Sequence, residues 1–176
     1  MNLSQLEPFK NITIQCHDNP DADALASGFA LYSYFKEKGK QVRFFYSGRF
    51  QIQKSNLVLM KEAFSIPIEY VENPEGFPVP ELLVMVDCQY GTGNVTKFPG
   101  KQIAVIDHHQ REMAAGNETQ NGITSHRAET SEGIEGPSPV IREDFIDIRS
   151  NYGSCSTIVW QLLSEAGFEV NERPLL

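Results

Sequence analysis

A chain of 176 residues has room for one α/β domain with a full core but hardly for two. Its 40% apolar and 22% charged residues include no run near the ~18 apolar residues of a membrane span, and residues 1–15 lack a basic stretch followed by an apolar core, so neither a span nor a signal peptide is expected and the cytoplasm is the predicted location. A formal net charge of −8 disfavours a grip on long nucleic acid through phosphate neutralisation; short or small phosphorylated substrates fit better, with divalent cations offsetting part of the charge.

The first two-thirds of the chain alternate between strand-like and helix-like patterns. Asn11 to Cys16 is a short apolar run that ends in a polar turn, His17 to Asp21. Residues 23–38 place Leu25, Phe29, Tyr32 and Phe35 at helical spacing, and Gly39 supplies a stop. Gln41 to Tyr46 reads as the next strand, 53–64 as a helix with Leu57, Met60 and Phe64 on one face, and Ile66 to Val71 as extended. Pro74, Gly76, Pro78 and Pro80 mark a loop. Leu82 to Val86 and Ile103 to Ile106 are continuous apolar runs, as strands buried on both faces should be. Residues 111–139 are polar and interrupted by glycine and proline, which predicts a flexible loop, lid or insertion. Phe145 to Ile148 is a short strand, and a helix follows from about Ser154 with Ile158, Val159 and Leu162 inward.

This alternation predicts a parallel β-sheet with right-handed crossovers and helices on both faces. Ligands of such sheets sit at the carboxyl ends of the strands. Three polar clusters fall there. His17, Asp18, Asp21 and Asp23 follow the first strand, Asp87 follows LLVMV, and Asp107-His108-His109 follows IAVI. Each cluster alone has an ordinary reading, since an Asp after a strand commonly caps a helix and a His pair is commonly surface polarity. Together they crowd carboxylates onto one edge, at a cost that a bound cation removes. Mixed imidazole and carboxylate donors suit manganese, iron, cobalt or zinc better than calcium or magnesium. Asp21 and Asp23 are two apart, so their side chains diverge and can serve two ions, and Asp87 on a central strand is placed to bridge them. The sparse cysteines, Cys16, Cys88 and Cys155, read as small buried thiols.

HDNPDADALAS, VDC and DHH, in this order, resemble the three motifs of the DHH phosphoesterase superfamily, over about residues 11–110 with the SCSTIVWQLL helix beyond. The superfamily includes RecJ-type exonucleases, oligoribonuclease/pAp phosphatases, cyclic-dinucleotide phosphodiesterases, family II pyrophosphatases and exopolyphosphatases. The resemblance implies a manganese-dependent site of two ions, with magnesium, cobalt or iron as substitutes. His17 and Asp21 would hold one ion, Asp23 and His108 the other, and Asp87 both. Asp107 would orient an imidazole, His109 would face the scissile phosphate, and an activated water would attack. Arg49, in the loop after the second strand, is at the sheet edge where substrate would lie.

The sequence departs from the family pattern in two ways. A further family Asp, beyond the helix after the third motif, has no counterpart; only Glu165 and Glu169 follow Trp160, while Asp144 and Asp147 come early, with Asp147 left open. The C-terminal substrate-binding domain is also lacking, which predicts a partial DHH domain over 1–176. The leading expectation is hydrolysis of short oligonucleotides or nucleotides such as pAp, with a homodimer compatible. The alternatives are a cyclic-dinucleotide phosphodiesterase and a non-catalytic nucleotide- or metal-binding module. The Gly153–Thr157 segment either offers amides to a phosphate or simply caps its helix. Phe44, Phe45 and Tyr46 are expected in the strand core rather than as a base-stacking platform.

Overall fold

The computed structural model describes residues 1–111 and 139–168. Its strands are β1 (Asn11–Gln15), β2 (Gln41–Tyr46), β3 (Ile68–Tyr70), β4 (Leu82–Val86), β5 (Gln102–Asp107) and β6 (Val140–Ile148). Its α-helices are α1 (Ala22–Glu37), α2 (Ser55–Ala63) and α3 (Cys155–Glu165). One sheet runs in the order β3-β2-β1-β4-β5-β6, and every neighbouring pair is parallel. The parallel α/β architecture is therefore as the alternating pattern predicts. Most of the stretch expected as a loop, with His126 in it, and also Glu169, lie outside the described residues. No helix among the described residues is long and apolar enough to cross a membrane.

The two faces of the sheet are covered differently. Ile12, Ile14, Phe44, Val84 and Ile106 share one core with all three α-helices. On the other face Phe45, Leu83, Met85, Ile103 and Val105 pack against Phe77, Val95 and Phe98, which lie in the β3–β4 and β4–β5 connections. Helices on both faces were the expectation; among the described residues they occupy one. The handedness of crossovers sends those two connections over the second face, because the chain there runs in the opposite direction across the sheet. Pro74, Gly76, Pro78 and Pro80 in one, and Gly91, Gly93, Pro99 and Gly100 in the other, keep them from forming helices. Aromatic rings fill the space instead: Phe45, Phe77 and Phe98 have centroids 4.7–4.9 Å apart. Gln15, a buried polar residue of β1, fastens this cover by donating from Nε2 to the Thr96 carbonyl at 2.7 Å.

Side-chain size corrects the helical periodicity of α1. Leu25 and Phe35 are buried as expected, but Phe29 and Tyr32 are half-buried, and Leu31 and Tyr34 take the inward places. The inward face is centred on Gly28, where a Cβ would stand 2.3 Å from the buried Phe44 ring of β2. A pattern read from large residues alone misses that face. In α2 only Leu57 is buried, and Phe64 is exposed. Edge strand β6 begins earlier than its apolar segment suggests. Residues 140–144 are exposed, with Val140 and Ile141 followed by Arg142, Glu143 and Asp144, and charge of this kind interrupts the apolar pattern and blunts an open edge.

Candidate metal centre

The strand order reverses direction between β1 and β4, and ligand crevices open at that point beyond the carboxyl ends of the strands. β1, β4 and β5 each end there and hand over one cluster.

Asp87 lies at the centre. Its side chain is almost wholly buried and its backbone is left-handed, at φ 59°. Asp and Asn tolerate that region better than other residues with a Cβ. Asn19, in the turn after β1, has φ 56°. Two such residues at one crevice place its strained backbone where ligand chemistry would occur. The Asp87 Oδ2 atom lies 3.6 Å from His17 Nε2, and Oδ1 lies 3.3 Å from His108 Nε2. No hydrogen bond reaches the buried Oδ1.

The tautomers explain why. His17 Nδ1 is 2.9 Å from the Asp18 carbonyl, so it carries the proton and donates it there. A weaker contact of 3.4 Å sets His108 Nδ1 against the Tyr152 carbonyl in the same way. In the neutral rings both Nε2 lone pairs then face carboxylate oxygens, an arrangement that a cation satisfies. Backbone carbonyls that hold the far nitrogen are the usual support of metal-binding imidazoles.

Two overlapping donor groups result. His17, Asp21 and Asp87 bring one ligand atom each within 4.8 Å of one another, and so do Asp87, His108 and His109. Asp87 belongs to both. Burial, reinforced by the charges of Asp23 and Asp21, raises the Asp87 pKa, while His17 pulls it back. Burial pulls the His17 pKa down, but Asp87, the Asp18 carbonyl and the Asp21 charge outweigh it and the net shift is upward.

Asp107 is buried and fully occupied. Its Oδ1 accepts from His108 N–H and from His109 Nδ1, both at 2.8 Å, and its Oδ2 accepts from Gln89 Nε2 at 2.8 Å. It therefore orients His109, and that hydrogen bond raises the His109 pKa. His109 itself is 57% exposed and faces the crevice mouth from this fixed base.

Asp23 is placed less simply. Its two oxygens accept from the backbone N–H groups of Cys155 at 2.7 Å and Ser156 at 2.9 Å, so the first turn of α1 caps α3. Its Oδ2 remains 3.8 Å from His108 Nε2. The amides offered by the Gly153–Thr157 segment are thus taken by Asp23, with Ser154 accepting from Thr157 N–H as the local cap. Asp147 forms a bidentate pair with Arg149, at 2.7 and 2.9 Å, and stands in neither donor group. Asp18 turns to Thr96, accepting at 2.8 Å. Arg49 is exposed, with its guanidinium 5.1 Å from the Phe50 ring centre. A cavity of about 190 Å³ lies beside the β1–α1 turn, lined in part by Asn19, Pro20, Phe50 and Lys54. Gln89, the Tyr152 carbonyl and Phe50 are features that strand-end clusters did not reveal. The only sequence signal for Gln89 is its place two residues after Asp87.

The family model described as DHH family, N-terminal domain, matches residues 11–175. The chain belongs to the DHH family. Its members are metal-dependent phosphoesterases, and the histidine and carboxylate groups of this DHH domain are of the kind that can bind a metal. No curated protein matches the sequence. Among solved structures the domain is similar to an exopolyphosphatase-related protein from Bacteroides fragilis, at 18% identity and a TM-score of 0.58 over 94% of this chain and 42% of that one. That likeness is one of fold, and the chain spans well under half of that protein's length.

Proposed function

We propose that this DHH domain carries the catalytic centre of a manganese-dependent phosphoesterase that hydrolyses phosphoester bonds in nucleotides or short oligonucleotides. The observation that carries the reading is the buried Asp87 carboxylate, shared by two His/Asp donor groups and left with an oxygen that no protein donor satisfies. In this reading His17 and Asp21 would hold one ion, Asp23 and His108 would hold the other, and Asp87 would serve both. When bound, such ions polarise the phosphoryl oxygens and lower the pKa of a water to the neutral range. His109, whose pKa the hydrogen bond to Asp107 raises, would face the phosphate and stabilise the charge that develops on it. Gln89 fixes the Asp107 carboxylate from behind. Arg49, exposed in the loop after β2, would meet the substrate. The charge of −8 favours short substrates over long strands, whose binding depends on phosphate neutralisation.

The direct test is hydrolysis of a dinucleotide and of bis(p-nitrophenyl) phosphate with added Mn2+, for the chain and for Asp87→Asn. Turnover that disappears in the variant supports the reading. Nucleotide binding without turnover in either protein would make this a binding module instead.

A further inference from the structure

The β2–α2 loop is fastened to β2 and β3 by specific bonds. At its start Gly48 has φ +107° and packs so closely on the β1–α1 turn that a Cβ would meet Asp18 Cβ at 2.9 Å. Tyr70 donates its hydroxyl proton to the Gly48 carbonyl at 2.8 Å. Two residues past Phe50, Ile52 N–H donates to the Tyr46 hydroxyl oxygen, also at 2.8 Å. Phe50 is thus fixed between two anchors, yet it is 55% exposed. A rigidly presented aromatic ring that leaves half its surface in water does little for the core. Its visible neighbour is Arg49, stacked as a cation over the ring.

Phe50 borders the cavity beside the β1–α1 turn, with Ile52 and Leu57 as further apolar lining. The polar residues of the lining are Asn19, Gln51, Gln53 and Lys54. No carboxylate takes part. Amides that both donate and accept, next to an aromatic face, are the groups that proteins use to read and stack an unpaired base. At about 190 Å³ the space suits a single base rather than the drug-sized ligands that fill roughly 300–1,000 Å³. It also shares a wall with the candidate metal centre, because Asn19 and Pro20 lie between His17 and Asp21 in the same turn.

We propose that this cavity is a nucleobase subsite, with Phe50 as the stacking surface, the Asn19, Gln51 and Gln53 amides reading the base edge, and Lys54 facing the attached phosphate or sugar. The proposal rests on the phosphoesterase reading for its purpose, and it selects nucleotides over base-free phosphates as the substrate class.

The experiment is a titration of the metal-free chain with adenosine 5′-monophosphate and, separately, with ribose 5-phosphate, followed by backbone amide NMR. Adenosine 5′-monophosphate should shift the signals of Asn19 and of residues 50–54, and ribose 5-phosphate should not. Phe50→Ala, at an exposed position, should weaken nucleotide binding roughly five-fold or more. Equal shifts from both ligands, an unchanged affinity in Phe50→Ala, or no shift at these positions would each overturn the subsite. Metal is left out, so failure of the phosphoesterase reading, seen as absent metal binding and absent turnover, stays distinct from failure here.

Discussion

Asp87 combines a buried carboxylate, a left-handed backbone and an oxygen without a donor, and each has an energetic consequence. Because burial raises its pKa in the folded metal-free chain, the stability it contributes is present while it is protonated and is lost as the pH rises through that raised value. Asn accepts the same backbone conformation and carries no charge. Metal-free Asp87→Asn should therefore melt at a higher temperature than the parent at neutral pH, and the gap should narrow in acid, although the variant binds no metal. Calorimetry across pH checks both statements. The imidazoles set the pH limits of activity. His17 must lose its proton to hold a metal, and its raised pKa in the metal-free chain lets protons compete with the metal from a higher pH, so activity falls on acidification. His109 acts with its proton, so activity falls again as the pH rises through its own raised value. The profile should be bell-shaped, and Asp107→Asn should move its alkaline limb to lower pH by removing the negative charge that helps hold the proton. An alkaline limb unmoved in that variant would show that His109 has another role.

The elements that carry these residues were legible where apolar runs are long. LLVMV and IAVI lie in fully or nearly fully buried strands and read as such from composition alone. What stayed hidden depends on partners remote in sequence. Asp23 reads as a ligand from its spacing, yet its oxygens cap α3, more than 130 residues on. Gly28 reads as a weak point of a helix, yet it is the contact with Phe44. Crossover handedness assigns the Gly/Pro-rich connections to the second face, but nothing in their sequence says that aromatic rings would replace helices there. Two variants test these packing arguments in the metal-free chain. Asp23→Ala should lose about 0.5–2 kcal/mol, the cost of a missing helix cap. Gly28→Ala should lose about 1–3 kcal/mol by forcing a methyl group onto a buried ring. Urea unfolding midpoints at constant slope give both numbers.

Across the whole molecule, the sheet order sets the chemistry. With β1 and β4 adjacent and β5 beside them, residues far apart in sequence meet at one edge, and the carboxylates gathered there add to a chain already at −8. The motifs announced which residues would meet, with Asp87 between the two groups; the fold adds that Asp107 is occupied by His108, His109 and Gln89. Divalent ions that bind the folded state alone should stabilise it by about 2.7 kcal/mol at a hundredfold excess over Kd, or roughly 5–10 °C in Tm for a domain of this size. The most direct test of the account is the metal content of the chain after equilibration with Mn2+ and removal of free ions, beside that of Asp87→Asn. We expect about two Mn2+ per chain, lost in the variant. Equal metal content in the two proteins, or none in either, would contradict the assignment of Asp87 as the shared ligand of a metal centre.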